Sequence, residues 1–405
     1  MAQHKKNINI FWFISLTISL LSGCSQNHLS TDGLPVIDVT KNYPEKEIRL
    51  SDIADIMYVH LDSKHDDFLY KGSICYITEN TLVVNDLVTQ SVLFFSKDGA
   101  PQSRINRYGN GPEEYAGPVN NVIYDEAADD VFIYGGAYKN FIQVYSSKGE
   151  YKRKLFLPYG VQVVGQMDIF DSQSLIVFNQ GRNINKMAAK YDNRDYLPHP
   201  IDSSFFLISK ADGQVLEYIQ MTASQNDLSF KIPTGGIGWP PTGNNIAKHT
   251  EGFLLSYPET DTVFHYSKNK ELTPVISKIP PVDKQEPKII LINCFDLEKY
   301  QFMEAQIVDN DYFHVNHINK HYIRDKKTGE IFQQKIVIPD YKGKKIMISS
   351  KFGSFLHGNV TRIELDLMEL KQAYRENRLS GKLKELVETL NEKSDNNIFM
   401  FVKFK

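Results

Sequence analysis

Cysteine and tryptophan are scarce in this chain, three and two among 405 residues. A disulfide framework of the kind that props up small exported domains is therefore not expected, and a chain of this size can bury a large core without one. Cys75 and Cys294 lie in apolar, strand-like runs (73–77 and 289–295), where a buried free thiol is expected rather than a Cys75–Cys294 bridge. An excess of positive charge is also missing. Lys and Arg number 46 against 49 Asp and Glu; without residues 1–23, which carry only Lys5 and Lys6, the count is 44 against 49, a net −5. Such a composition offers no basic face for nucleic acid. After residue 21 no apolar run has the length of a membrane-spanning helix. A Gly-x-Ser-x-Gly elbow and a His-Glu-x-x-His pair are absent, which speaks against the common hydrolase classes. The glycine-rich stretch 235–241, which contains Trp239, is not followed by a helix opening with Lys-Ser or Lys-Thr. It reads as an exposed loop, not a phosphate cradle.

What is present begins at the N-terminus. Lys5 and Lys6 precede an apolar stretch from Ile8 to Leu21, and Leu21-Ser22-Gly23-Cys24 closes it with small residues before a cysteine. The arrangement resembles a bacterial lipobox, which implies cleavage after Gly23 and diacylation of Cys24. Acyl chains would anchor the mature protein to a membrane without a span. The expected organisation is a signal peptide over 1–23, a lipidated linker over 24–50 and one folded unit over 51–405.

Within that unit one pattern recurs five times, at 92–99, 142–149, 205–213, 263–270 and 321–329: an apolar run, then Ser or Asp, a few polar residues, and Gly. In the fourth copy Lys270 stands where Gly is found elsewhere. Ser or Asp opening a turn and Gly accepting positive φ near its end is hairpin chemistry. Each copy follows another short β-rich run, at 81–85, 130–134, 174–178, 252–256 and 312–316. The turn-opening residues Ser96, Ser146, Ser209, Ser267 and Asp325 are 50, 63, 58 and 58 residues apart, longer than the ~40–50 of familiar propeller repeats and so compatible with loop insertions. A four-stranded unit repeated radially is a β-propeller. The sixth blade is assembled from 56–61 and the strand candidates 345–349, 360–365 and 398–402, so that N- and C-terminal strands close the ring. Six blades are favoured, with seven as the alternative. The stretch 365–391 breaks the pattern with apolar residues at helical spacing, split near Leu379-Ser380-Gly381. It is expected to pack on the outside or cap one end, with partner binding as its functional alternative.

Arg107-Tyr108-Gly109-Asn110-Gly111-Pro112-Glu113-Glu114-Tyr115 follows the first hairpin. This segment resembles the Gly-x-Gly-Pro-x-Glu-Tyr/Phe motif of the six-bladed β-propeller lipoproteins of Bacteroides-type bacteria, with Gly109, Gly111, Pro112, Glu114 and Tyr115 matching. The ending 398–405 matches as well, although Asn396-Asn397 stands where Asn-Pro is common. The resemblance covers about 35–405 and implies an all-β propeller of four-stranded antiparallel blades with a short helical insertion; it implies little about activity. Among such lipoproteins surface display usually follows acidic residues soon after the lipidated cysteine. None occurs here before Asp32, which favours an outer-membrane anchor facing the periplasm.

Ligands of propellers usually bind at the mouth of the central channel, where loops from different blades meet. Arg107, Glu113, Glu114, Tyr115, Asn85, Asp86, Asn179, Arg182, Asn316 and His317 are the candidates for that face. Their carboxylates, amides and imidazole suit a polar ligand or a divalent cation. Competing structural readings exist: Gly109 and Gly111 for positive φ, Pro112 for rigidity, Tyr115 as a staple between blades, and Asp86 as a turn residue bonding backbone amides. His314, His317 and His321 invite a zinc reading, but their spacing on a strand does not make a closed ligand set. The expected function is a lipid-anchored binding module for a glycan, a peptide or an envelope protein. The alternatives are a metal-dependent hydrolase or lyase with an axial cation on Asp86, Asn179, Glu114 and Asn316, and a scaffold in a nutrient-uptake complex that docks through the helical insertion.

Overall fold

The computed structural model describes residues 33–63, 67–135, 139–158, 161, 163–180, 203–221, 230–231, 237–238, 244–257, 260–308, 319–349 and 359–405. Among them the five repeats are five antiparallel blades. Blade 1 is Gly72–Ile77, Thr81–Asp86, Val92–Ser96 and Pro101–Ile105; blade 2 is Val119–Asp125, Asp130–Gly135, Phe141–Tyr145 and Tyr151–Phe156. Blade 3 is Val164–Ile169, Ser174–Asn179, Phe205–Ser209 and Val215–Ile219, and blade 4 is Ile246–His249, Gly252–Leu255, Thr262–Ser267 and Leu272–Ile279. Blade 5 is Lys288–Asp296, Tyr300–Val308, Lys320–Asp325 and Ile331–Val337. Its second strand is thus Tyr300–Val308, whereas the run 312–316 lies outside the described residues.

The sixth blade joins both ends of the chain. Ile398–Phe404 pairs antiparallel with Val360–Leu365 on one side and with Ala54–His60 on the other. Lys345–Ile346, a candidate strand for this blade, pairs instead with the outer strand of blade 5, and residues 350–358 lie outside the described residues. The ring is therefore the expected six-bladed propeller, closed by strands from the two termini. Apolar side chains fill the seams between consecutive blades: clusters join blades 1 to 3, 3 to 4, 4 to 5, 5 to 6 and 6 to 1. Both Cys75 and Cys294 are free thiols, and burial pushes the Cys75 thiol up to about 12.

All five turns have the anticipated geometry. The amide of the residue at the positive-φ position donates back to the turn-opening carbonyl: Gly99 to Ser96, Gly149 to Ser146, Gly213 to Ser209, Lys270 to Ser267 and Gly329 to Asp325. Their φ values run from 65° at Lys270 to 90° at Gly99. Two of these glycines have a second duty. A Cβ on Gly213 would approach the carbonyl oxygen of Phe156 at 2.5 Å, and one on Gly99 would sit on the carbonyl oxygen of His60. In both cases the end of one blade's outer strand rests on the next blade's hairpin, which identifies Ala54–His60 as the outer strand of blade 6. Two substitutions are accordingly expected to act in opposite directions. Gly99→Ala should destabilise by about 1–3 kcal/mol, whereas Lys270→Gly should stabilise by about 0.5–1 kcal/mol by relieving a left-handed non-glycine residue. Urea unfolding midpoints measure both.

Within the stretch 24–50 read above as a linker, the described residues 33–50 contribute two strands to the outer edge of the ring. Val36–Asp38 pairs in parallel with the outer strand of blade 4, and Glu45–Arg49 with that of blade 5. The chain then turns through Leu50–Ile53 into blade 6. Leu367–Arg375 and Gly381–Thr389 are the two helices of the insertion, with Asp366 capping the first through the Glu369 amide. Leu367, Leu370, Ala373, Leu383 and Val387 bury their side chains in the seam between blades 5 and 6. The insertion connects the second and third positions of its blade, and so it emerges on the same face as the loop carrying the Gly-x-Gly-Pro motif.

Candidate functional site at the mouth and the axis

The motif between blades 1 and 2 is folded upon itself. The Glu114 carboxylate accepts the Gly111 amide at 2.8 Å and lies where a side chain on Gly109 would be. Tyr115 is fully buried. Its hydroxyl donates to the Gln90 carbonyl at 2.8 Å and, at 3.3 Å, faces that of Ile105, while the Arg107 amide donates to it at 3.4 Å. Burial pushes the phenol up to about 12, so it remains a neutral donor. The Tyr145 hydroxyl of blade 2 donates to the Glu113 carbonyl at 2.8 Å, and its ring packs edge-on against Tyr115. Tyr115 and the Glu113 carbonyl thus staple two blades through Tyr145, whereas neither Gly109 nor Gly111 has the positive φ expected from the sequence; the Glu114 carboxylate occupies the space a side chain at 109 would need.

Asp86 closes the neighbouring loop. Its oxygens accept the amides of Lys71, Val88 and Thr89 and the Thr89 hydroxyl. Burial alone would raise this carboxyl, but the Thr89 hydroxyl and the three amides outweigh it and hold the carboxyl below the usual aspartate value. The Asn85 amide donates to the Val119 carbonyl at 3.0 Å, across the seam from blade 1 to blade 2. Asn121 and Gln166 make the same kind of crossing to Val164 and Ile246. Asn179 is fully buried at the end of its strand, and neither side-chain polar atom has a partner among the described residues. Arg182, Asn316 and His317 lie outside the described residues, as do His314, Trp239 and Cys24.

Exposed groups remain on these two loops. Leu87 and Val88 are 61% and 68% exposed and Tyr108 is 52% exposed; Arg107 and Glu113 are exposed beside them. Gln90 ties the loops together, since its side chain accepts the Val119 amide and its carbonyl takes the Tyr115 hydroxyl. The five side chains therefore stand on a braced support.

A second constellation, not identified from sequence, occupies the axis. Tyr76, Asp168 and Lys248 belong to the first strands of blades 1, 3 and 4. Blades 1 and 3 are not neighbours, so side chains from them meet only across the centre of the ring. The Tyr76 hydroxyl donates to Asp168 Oδ1 at 2.9 Å, and Lys248 Nζ lies 2.9 Å from the Tyr76 oxygen and 3.0 Å from Asp168 Oδ1. Burial and then the Asp168 charge raise the Tyr76 phenol well above its ordinary value, which keeps the proton on the tyrosine. The ammonium also stands 4.5 Å over the Tyr76 ring. Lys248 is a built-in cation on the axis, and a divalent ion placed against Asp168 would have to face it. Among the described residues no three His, Cys, Asp or Glu side chains are grouped to hold a metal. The one sequence signal for this triad is a charged residue inside a short, otherwise uncharged strand, as at Asp168.

The family model for the domain of unknown function DUF4934 matches residues 34–403. The chain belongs to this family. Among solved structures it is similar to a Bacteroides fragilis protein named only as a "putative exported protein", with a TM-score of 0.63, 16% identity, and 92% of this chain and 99% of that one covered. A DUF4221 family member from Bacteroides vulgatus is a more distant match, with a TM-score of 0.46, 11% identity, and 87% and 97% covered. At these identities the likeness speaks for the fold alone. A search of curated protein sequences found no match.

Proposed function

We propose that this propeller is a non-catalytic binding module of the bacterial cell envelope, lipid-anchored through Cys24 to the outer membrane and facing the periplasm, whose mouth engages a partner protein or peptide. The reading rests chiefly on the rim formed by Leu87, Val88, Tyr108, Arg107 and Glu113. Exposed apolar residues joined by an aromatic ring and an arginine have the composition of a protein-recognition surface. The loops beneath spend their own polar groups on internal bonds, so little ordering would be lost on binding. An exported relative of the same fold agrees with the envelope location, as does the N-terminal lipobox pattern.

Site-specific photo-crosslinking in cells tests this reading. A crosslinker at Val88 or Tyr108 should yield one discrete adduct, while one at Lys97, on the hairpin face, should yield none. The adduct formed from Tyr108 should disappear in Leu87→Asp/Val88→Asp. Equal labelling from both faces, or no adduct at the mouth, would overturn it.

A further inference from the structure

The N-terminal segment joins the ring at blade 4. Val36–Asp38 pairs in parallel with the outer strand of that blade, with Val36 opposite Ser277 and Asp38 opposite Ile279. The join is firm: the Ser277 amide donates to the Pro35 carbonyl at 3.0 Å, the Val39 amide donates to the Ile279 carbonyl at 3.0 Å, and Ile37 and Val39 are fully buried in the seam between blades 4 and 5. Residues 25–32 separate Cys24 from Gly33, where the described chain begins, a span of about 30 Å at full extension. A compact fold of this length is roughly 50 Å across. In a six-bladed ring blade 1 stands opposite blade 4, so a molecule tethered through Cys24 is held too closely at blade 4 to stand on blades 1 and 2.

The edge at this attachment exposes apolar surface. Partners in a parallel ladder, and residues two apart on one strand, point to the same face, so Val36, Asp38 and Ile279 share one face of the edge. Val36 is 47% exposed and Ile279 44% exposed. Asp38 is already engaged by the Thr40 amide and hydroxyl, and Lys41, 3.7 Å from Asp38, is exposed. Two exposed aliphatic side chains next to a long cationic one suit the boundary between lipid headgroups and acyl chains, where apolar groups leave water and a lysine stem reaches back to the phosphates.

We infer that this edge of blade 4 rests on a phospholipid surface, with Val36 and Ile279 against the acyl region, so that the ring stands on its side and the rim of Leu87, Val88 and Tyr108 is held at the far side of the molecule. The inference rests on the Cys24 anchor proposed above and adds the orientation that the anchor imposes.

Quenching by a paramagnetic label on the lipid headgroups reads the orientation directly. The mature, acylated chain is placed on vesicles of phosphatidylethanolamine and phosphatidylglycerol with a fluorescent residue at Thr40, at Val88 on the rim, or at Lys97 on the hairpin face; all three positions are exposed. Fluorescence should be lost at Thr40 and kept at Val88 and Lys97. Val36→Asp/Ile279→Asp should restore the Thr40 signal towards that of the other two positions while the acyl chains keep the protein on the vesicles. Ile279→Asp alone serves if the double variant fails to fold. Quenching at Val88 or Lys97 equal to that at Thr40, or a Thr40 signal unchanged in the variants, would overturn the inference and leave the anchor standing. A chain that does not float with the vesicles would overturn the anchor reading, and the orientation with it.

Discussion

Asp168→Leu is expected to destabilise the propeller by about 3–5 kcal/mol, because it leaves the Lys248 ammonium beside Tyr76 without its carboxylate. The loss should be largely recovered in Asp168→Leu/Lys248→Met, since two apolar side chains of similar volume remove the stranded charge along with the pair. A chain in which the single variant unfolds at the wild-type urea concentration would show that the axial triad does not hold blades 1, 3 and 4 together. Non-recovery in the double variant would indicate that the Tyr76 hydroxyl, whose acceptor is also removed, carries the larger share. The contact lengths support the loss expected of Asp168→Leu: all three are 3.0 Å or shorter.

Tyr115→Ala should cost about 3–5 kcal/mol, the range for emptying a buried aromatic site. Tyr115→Phe should cost about 1–2 kcal/mol, because it keeps the ring against Tyr145 and removes the hydroxyl that serves the Gln90 carbonyl and the Arg107 amide. The ordering Ala well above Phe distinguishes a staple made mainly of packing from one made mainly of hydrogen bonds, and chemical denaturation of the two variants measures it. Neither substitution removes an exposed side chain, so the crosslinking surface at Val88 and Tyr108 should persist in Tyr115→Phe.

The parts of this molecule that were legible in the sequence are those whose physics is local. A serine or aspartate at a turn start and a residue of positive φ three or four positions on are properties of a few adjacent residues, and the five hairpins, Lys270 included, lie where those signals put them. The split helical insertion was legible for the same reason: apolar residues at helical spacing and Ser380 ahead of Gly381. The rim strands were not. Glu45–Arg49 has a single apolar residue, Ile48, and pairs along an exposed edge with a strand from the other end of the chain, so its conformation is set by a partner that no local pattern announces. The axial triad is hidden in the same way, because Tyr76, Asp168 and Lys248 acquire meaning only when a ring brings three blades to one point. The strand Tyr300–Val308 shares that limit, since it fell between the runs that local patterning picked out.

The pairing of the N-terminal strands has a consequence for how the molecule is made. Val36 finds its partner in Ser277, Glu45 in Gln333 and Ala54 in Phe404, so the segment synthesised first is among the last that can be completed. Val36–Asp38 and Glu45–Arg49 wait for the outer strands of blades 4 and 5, and Ala54–His60 stays unpaired until the final strand is delivered, the kind of segment that is most prone to wrong association. Contacts of such long sequence separation also slow folding. Blades 1 to 3, which draw all their strands from consecutive stretches of chain, are then the natural first structure, and ring closure becomes the step that decides yield. Truncation by even the last strand would leave not a shortened propeller but an open one, with both flanks of its missing blade bare.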